Sequence, residues 1–552
     1  MRFATVMLCL CGIAWAHGGS FRPPPRQGPR DPVRTPPRPG APTTPGVGTP
    51  TTALTPWEFW WSHNRDRYLL LRDRLARRTV VTGPRALKDT FDREALRVKL
   101  RPILLEALRD RDAAVRGAAA IALGKFGARK ALPQIVEMHA RDKSKEVREA
   151  AVMALMLLRD PAAIPVLGKI ATSDKESRRM RGLAVLGLGL LGETDFLEFV
   201  LKARTGKLGS NSDRRELQSC AALALGFTGK ETAVATLSKI AFDKNMHRHV
   251  RGYAASSLGR LGHPIAVPDV LKLIRDRDQL DQARQGAAIS AGALVRPTEA
   301  PLVGILTKTA AHDKDMGVRQ LLTMSLGRIG GEDAALYLAK VVRSRDYRMR
   351  GYGMLAFGIS GHKDAGSLLA LQFPKLKNSS DRAACALGIG LADHRVAAPA
   401  LRKEAERANP AFLHHALLAL GLLNDQESLP LLRKTLEKSR DPLVRRDGAI
   451  ALALILRAGA VPELLKLLDK TKTLYARASI AHALGLVGTE KAVDPLLAIY
   501  RDRKKQSEER ALAIAALGRM GDPESIPVLS QFAFDLHPYV TSEAVTEIVT
   551  IL

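Results

Sequence analysis

One short phrase recurs fourteen times along this 552-residue chain, and it restricts the fold to a stack of similar units. Residues 115–127 read VRGAAAIALGKFG, residues 250–262 read VRGYAASSLGRLG and residues 509–521 read ERALAIAALGRMG. Its register arginine stands at Arg116, Arg148, Arg181, Arg251, Arg284, Arg319, Arg350, Arg382, Arg445, Arg477 and Arg510, with Gln218, Leu413 and Thr541 in the other three places. The spacing of 31 to 37 residues is that of helical repeats. Each phrase is apolar on most sides and rich in Ala, which predicts a helix buried between neighbours.

Gly follows eight residues after the register position in eleven units, Gly124, Gly259 and Gly518 among them. Inside a helix such a Gly costs about 1 kcal/mol against Ala, so its repetition predicts a contact too close for a Cβ. A second Gly three residues later, or Asp393 and Asn424 in its place, suits the left-handed turn that stops a helix. Segments such as 162–170, 428–436 and 460–468 carry Pro followed by apolar residues at helical spacing and supply the first helix of each unit. Asp112, Asp174, Asp243, Asp315 and Asp441 precede the register position as helix N-caps, as partners of arginines in neighbouring units, or as both at once.

The pattern D-x-x-V-R-x-x-A-A-x-A-L-G-x-x-G resembles the HEAT-repeat family, in its short bacterial phycobilisome-lyase-like form. The resemblance implies an all-α fold, an alpha-alpha superhelix of about fourteen helix pairs over residues 86–552, with a concave face that binds protein. Such an array would extend on the order of 100 Å, less any superhelical curvature. The phrase weakens at Met156 and Ala453, and residues 203–215 form an insertion.

Three regions precede the array. Residues 1–16 combine one basic residue, an apolar run and Ala14-Trp15-Ala16, the pattern of a signal peptide cut after Ala16. Residues 17–56 form a Pro- and Arg-rich linker, with 12 of the chain's 31 prolines between 21 and 56. Residues 57–85 begin with Trp57, Trp60 and Trp61, which with Tyr68 and Leu71 share helical spacing. This amphipathic helix is expected to cap the outer face of the first unit or to dock a partner. It resembles Trp-rich leaders of secreted HEAT proteins in planctomycete-like bacteria. At the other end, residues 540–552 keep the periodicity with one side made polar, as a terminal cap requires.

The net charge is +29, and only +5 of it lies in the first 56 residues, so the basic excess belongs to the array. An acidic protein or an anionic polymer is a better partner than nucleic acid, because the export signal removes the chain from most nucleic acid and acids interleave with the bases. Cys220 and Cys385, the two cysteines beyond the signal, read as core thiols. His247 with His249, and His414 with His415, have no carboxylate or Cys to complete a metal site. Deoxyhypusine hydroxylases hold iron through His-Glu dipeptides, and this chain contains none. Phycobilin lyases, which share the repeat, act on cytoplasmic proteins.

The expectation is therefore a secreted or periplasmic, non-catalytic, cofactor-free scaffold that binds protein, with an anionic-polymer binder (nucleic acid, polysaccharide or lipid headgroups) as the alternative and a HEAT-like enzyme or lyase accessory disfavoured. Candidate contact residues are Trp57, Trp60, Trp61, Tyr253, Tyr352, Arg204, Lys207, Arg214 and Arg215.

Overall fold

A computed structural model describes residues 56–76, 91–203 and 208–524, together with 530, 535, 537, 540 and 542–545. Every described element is helical. Two leader helices, α1 (Pro56–Leu69) and α2 (Leu71–Ala76), come first. Thirteen helix pairs follow. The first seven are α3 (Arg93–Ala107) with α4 (Ala113–Lys125), α5 (Leu132–Arg141) with α6 (Lys145–Leu158), α7 (Ile164–Thr172) with α8 (Arg178–Leu190), α9 (Thr194–Lys202) with α10 (Asn211–Leu225), α11 (Ala233–Phe242) with α12 (Arg248–Leu261), α13 (Val267–Arg275) with α14 (Asp281–Leu294), and α15 (Ala300–His312) with α16 (Met316–Ile329). The other six are α17 (Glu332–Val342) with α18 (Tyr347–Ile359), α19 (Ala365–Gln372) with α20 (Ser379–Leu391), α21 (Ala398–Ala405) with α22 (Pro410–Leu422), α23 (Leu429–Lys438) with α24 (Pro442–Leu456), α25 (Ala460–Lys470) with α26 (Leu474–Val487), and α27 (Glu490–Arg501) with α28 (Ser507–Met520). This is the expected all-α superhelix.

The second helix of each pair packs broadly on the second helix of the next, whereas the first helices scarcely touch one another. The repeated Gly explains the difference. A Cβ at Gly226 would lie 2.9 Å from Ser257 Cβ, and one at Gly327 would lie 2.5 Å from the Ala356 carbonyl oxygen. The second helices therefore approach more closely than the first helices can, and each unit adds curvature with the second helices inside. Gly127, Gly192, Gly262 and Gly488, like Asp393 and Asn424, take the left-handed conformation predicted for the helix stops.

After thirteen units the curvature returns the array to its start. Helix α28 packs on α4 as each inner helix packs on the next. A Cβ at Gly518 would lie 2.7 Å from Ala122 Cβ, the same contact Gly327 makes with Ala356, now across the two ends. The superhelix is a closed ring, about 35–40 Å across between inner helix axes if they are spaced at ~9 Å. The expectation of an elongated array is corrected on this point. Small residues on one side and larger ones on the other bend the stack through a full turn.

The register arginines serve as ties between units. Arg181, Arg251, Arg284 and Arg510 each donate from Nε to the carbonyl ten residues earlier, which ends the first helix of the same unit. Several also reach the next unit: Arg116 binds Asp142 at 2.8 and 2.9 Å, Arg284 binds Asp313 and Arg350 binds Asp381. Both readings of the preceding Asp hold, at different places. Asp441 and Asp315 cap their helices, while Asp112 makes no cap bond and accepts from Arg510. The stretch Pro442–Lys470 has the length and hydropathy of a membrane span, but it folds as α24 and α25, broken at Arg457–Gly459 and mostly buried.

Candidate functional site

The inner surface of the ring is built from the two positions after each register residue. These carry Gly182, Cys220, Gly252, Tyr253, Gly351, Tyr352, His414, His415, Arg446 and Asp447, the most varied part of an otherwise repetitive phrase. Gly182, Cys220, Gly252, Tyr253, Gly351, His415 and Asp447 each meet chain that crosses the lumen.

Helix α1 lies on this surface over units eight to eleven. Trp57 lies against Gly351, where a Cβ would stand 2.5 Å from the indole Cδ1, and its Nε1 donates to Ser380 Oγ at 2.7 Å. Its ring packs on His415 at 5.3 Å. Trp60 and Trp61 are also buried, and Trp60 packs on Tyr68. Arg65 binds Asp447 Oδ1 at 2.9 Å, a carboxylate also held by Arg446 and by His414 Nδ1 at 3.0 Å. Burial alone would raise the pKa of Asp447, but the Arg446 and Arg65 charges and the His414 bond hold it well below the usual range. Arg72, just beyond, donates to the carbonyls of Asp522, Glu524 and Arg519.

Asp535, His537, Val540 and residues 542–545 lie on the inner face of units seven back to three. Asp535 sits beside Arg67 at 2.8 Å and Arg328 at 3.0 Å, with its amide bound to Asn64 Oδ1 at 2.9 Å. His537 Nε2 donates to the Gln282 carbonyl at 2.6 Å, and Tyr253 Oη donates to the Val540 carbonyl at 3.3 Å. Glu216 accepts from Ser542 Oγ at 2.7 Å and from the Ala544 amide at 3.0 Å, with Cys220 Sγ 3.4 Å from Ser542 Oγ. Glu543 pairs with Arg178 at 2.7 Å. Burial raises the pKa of Glu216 and pushes that of Cys220 well up.

Two expectations about these ends change. The Trp helix does not cap the outer face of the first unit; it lies on the inner helices of units eight to eleven. The fourteenth phrase does not extend the stack: Val540, Ser542, Ala544 and Val545 are buried in the lumen, and the rest of residues 546–552 lies outside the described residues. Once α28 meets α4, no free inner-helix face remains for a fourteenth unit.

Of the candidate contacts, Trp57, Trp60, Trp61, Tyr253 and Tyr352 are all buried, the last two at 1% and 2% exposure, and so are occupied within the chain. Arg204 and Lys207 lie outside the described residues, as do the signal and the linker. Arg214 and Arg215, in the first turns of α10, bond to Asn211 and keep access to solvent. The His414–His415 pair does meet a carboxylate, Asp447, contributed by the next unit and so invisible from adjacency. Two arginines already neutralise it. His247 serves as the N-cap of α12. Among the described residues no set of three His, Cys, Asp or Glu side chains converges as metal ligands.

Sequence reasoning missed Arg65, Arg67, Glu216, Asp447 and Asp535. One signal was available for Asp447: it is an acid two residues after a register arginine, where the phrase otherwise carries small or uncharged residues. Outside the lumen, a cavity of about 620 Å³ opens at the seam between the first and last units. Arg109, Arg111 and Arg503 line it with Glu106, Asp110, Gln134 and Tyr500.

An all-α ring of paired helices tied by register arginines defines a HEAT-type solenoid. Residues 101–189, 207–292, 373–453 and 434–508 match the family of HEAT repeats, and residues 509–535 match the PBS lyase HEAT-like repeat. The matches cover more than half of the chain, which belongs to the HEAT-repeat family. No curated protein matches its sequence. Among solved structures it is similar to human deoxyhypusine hydroxylase in complex with glycerol (20% identity over 48% of this chain and 97% of that one, TM-score 0.23). It is similar to Kap121p (13% identity over 80% and 56%, TM-score 0.36). It is also similar to the complex of CpcE and CpcF of phycocyanin lyase from Nostoc sp. PCC7120 (20% identity over 47% and 93%, TM-score 0.29). These likenesses concern the repeat fold alone.

Proposed function

We propose that this protein is a non-catalytic scaffold of the cell envelope or exterior that binds other proteins. The observation that carries the reading is the bracing of the ring. Register arginines tie several units to their neighbours, and Arg510 with Asp110 ties the last to the first, so a large surface is held in one shape before any partner arrives. A preformed surface loses little conformational entropy on binding, which favours affinity. HEAT solenoids as a class serve as protein-binding surfaces, which agrees with this reading. Residues 1–16 supply the export signal on which the location rests.

Affinity purification of the exported protein from the envelope fraction tests the proposal. A defined, stoichiometric protein partner supports it. Recovery of the chain in the cytoplasm with residues 1–16 uncut, or turnover of a substrate abolished by a lumen substitution, contradicts it.

A second reading, binding of an anionic polymer, has one observation in its favour: the seam cavity lined by Arg109, Arg111 and Arg503. Charge-driven retention on heparin would then weaken steeply with salt and be reduced by Arg109→Ala with Arg111→Ala.

A further inference from the structure

The contacts that hold Asp535, His537, Val540 and residues 542–545 are ones a separate peptide could make. Asp535 is enclosed by Arg67 and Arg328, with Arg260 also acting on its charge. Arg67 and Arg328 are half-buried and converge on one place, so they favour an anion there, and any carboxylate in that place would answer them. Glu216 accepts from a backbone amide and a hydroxyl at the start of a helical turn, so it reads the chain's conformation more than its side chains. Tyr253 donates to a backbone carbonyl, and His537 donates to one. Gly182 and Gly252 leave room for Ala544 and Val540, whose atoms would lie 2.6 and 2.8 Å from a Cβ at those positions. Among the described residues of the segment only Val540, Ala544 and Val545 bury apolar side chains. The surface beneath is thus a track with an acid-specific pocket at one end, a backbone-reading carboxylate at the other and glycine-lined clearance between them.

We propose that the inner face of units three to seven is a peptide-binding track, that Asp535, His537, Val540 and residues 542–545 act as its internal ligand, and that the partner is an acidic segment of another protein that displaces them. The inference rests on the protein-binding reading above and gives it a site. Covalent tethering holds the internal ligand at an effective concentration on the order of millimolar. A partner segment therefore engages only when its own affinity or local concentration exceeds that, which makes the tail a threshold on binding.

Cys220 reports on the track. It is fully buried, with Ser542 over it, whereas Cys385 is equally buried elsewhere, beside the Leu369 carbonyl. In the full chain, maleimide labelling of each cysteine is followed by peptide mass spectrometry for the wild type, for Asp535→Lys and for the milder Glu543→Lys. Binding of a labelled synthetic peptide of residues 530–545 is measured in parallel. Release of the tail predicts that Asp535→Lys labels Cys220 at least about tenfold faster while Cys385 is unchanged, with a smaller rise for Glu543→Lys. The wild-type peptide then binds the Asp535→Lys chain and restores protection of Cys220, and the same peptide carrying Asp535→Lys does neither. Equal acceleration of both cysteines, no acceleration at Cys220, or no binding of the peptide to the Asp535→Lys chain overturns the track. None of these results depends on whether a purification finds a partner, so the two proposals fail separately.

Discussion

Arg510 and Asp110, four hundred residues apart in the chain, face each other through two bonds, Nη2 to Oδ2 at 2.5 Å and Nη1 to Oδ1 at 3.2 Å. Arg510 is wholly buried and also binds Asp112 at 2.5 Å, while Asp110 takes a further bond from Arg503 at 2.7 Å. The last unit thus treats the first as its successor. It uses the same tie that joins Arg284 to Asp313 inside the array.

Removing one partner of this pair leaves the other charge with a single remaining partner, Asp112 for Arg510 or Arg503 for Asp110. Asp110→Ala should therefore destabilise the protein by about 2–3 kcal/mol, less than a wholly uncompensated buried charge would, and a double variant that replaces both Asp110 and Arg510 with apolar residues should recover part of it. Chemical denaturation of the singles and the double checks this. Hydrogen exchange should show the single variants opening first at α4 and α28.

The leader helix makes an optical prediction. Trp57, Trp60 and Trp61 are all in the lumen, and the only other Trp lies at position 15. The protein lacking residues 1–16 should therefore show blue-shifted tryptophan emission that iodide scarcely quenches. A Trp57→Ala variant should lose about 3–5 kcal/mol of stability, because it empties a packed site and leaves Ser380 without the indole donor.

Acid should loosen the lumen before it titrates the carboxylates. Burial pushes the His537 pKa down to about 4 and holds His415 and His482 well below the ordinary value. Their unfolded forms take up protons near pH 6.5, which the folded forms refuse, so stability falls as pH drops below that value. His537 alone should account for about 2 kcal/mol of loss by pH 5. Asp535 and Asp447 have lowered pKa values, so their contribution persists until pH falls below the ordinary carboxylate range. Glu216, raised by burial, works in the opposite direction and offsets part of the loss. Denaturant midpoints measured between pH 7 and pH 5 should decline, and His537→Gln should flatten the decline.

The repeat was legible because its period, Gly positions and helix stops each follow from local packing. Even the crowded contact behind Gly518 could be inferred, though not that its neighbour would be Ala122 of the first unit. Closure depends on a small bend summed over thirteen units, and no single copy of the phrase carries that sum. Tyr253 and Tyr352 were recognisable as departures from the phrase, and they do line the inner face. What covers them was hidden, because Val540 meets Tyr253 across 287 residues and Trp57 meets Ser380 across 323. Asp535 gave no local sign of its role, since the arginines around it come from the leader helix and from two distant units.

Closure is the claim on which the filled lumen, the seam and the peptide track all depend. Lys99 on α3 and Asp494 on α27 are exposed and lie 3.0 Å apart across the seam. Spin labels on a Lys99→Cys, Asp494→Cys double variant, with Cys220 and Cys385 buried, allow their separation to be read by pulsed electron paramagnetic resonance. The ring predicts one narrow distance within the reach of two neighbouring side chains, unchanged on dilution; a distribution extending toward the order of 100 Å, as in an open superhelix, would contradict it.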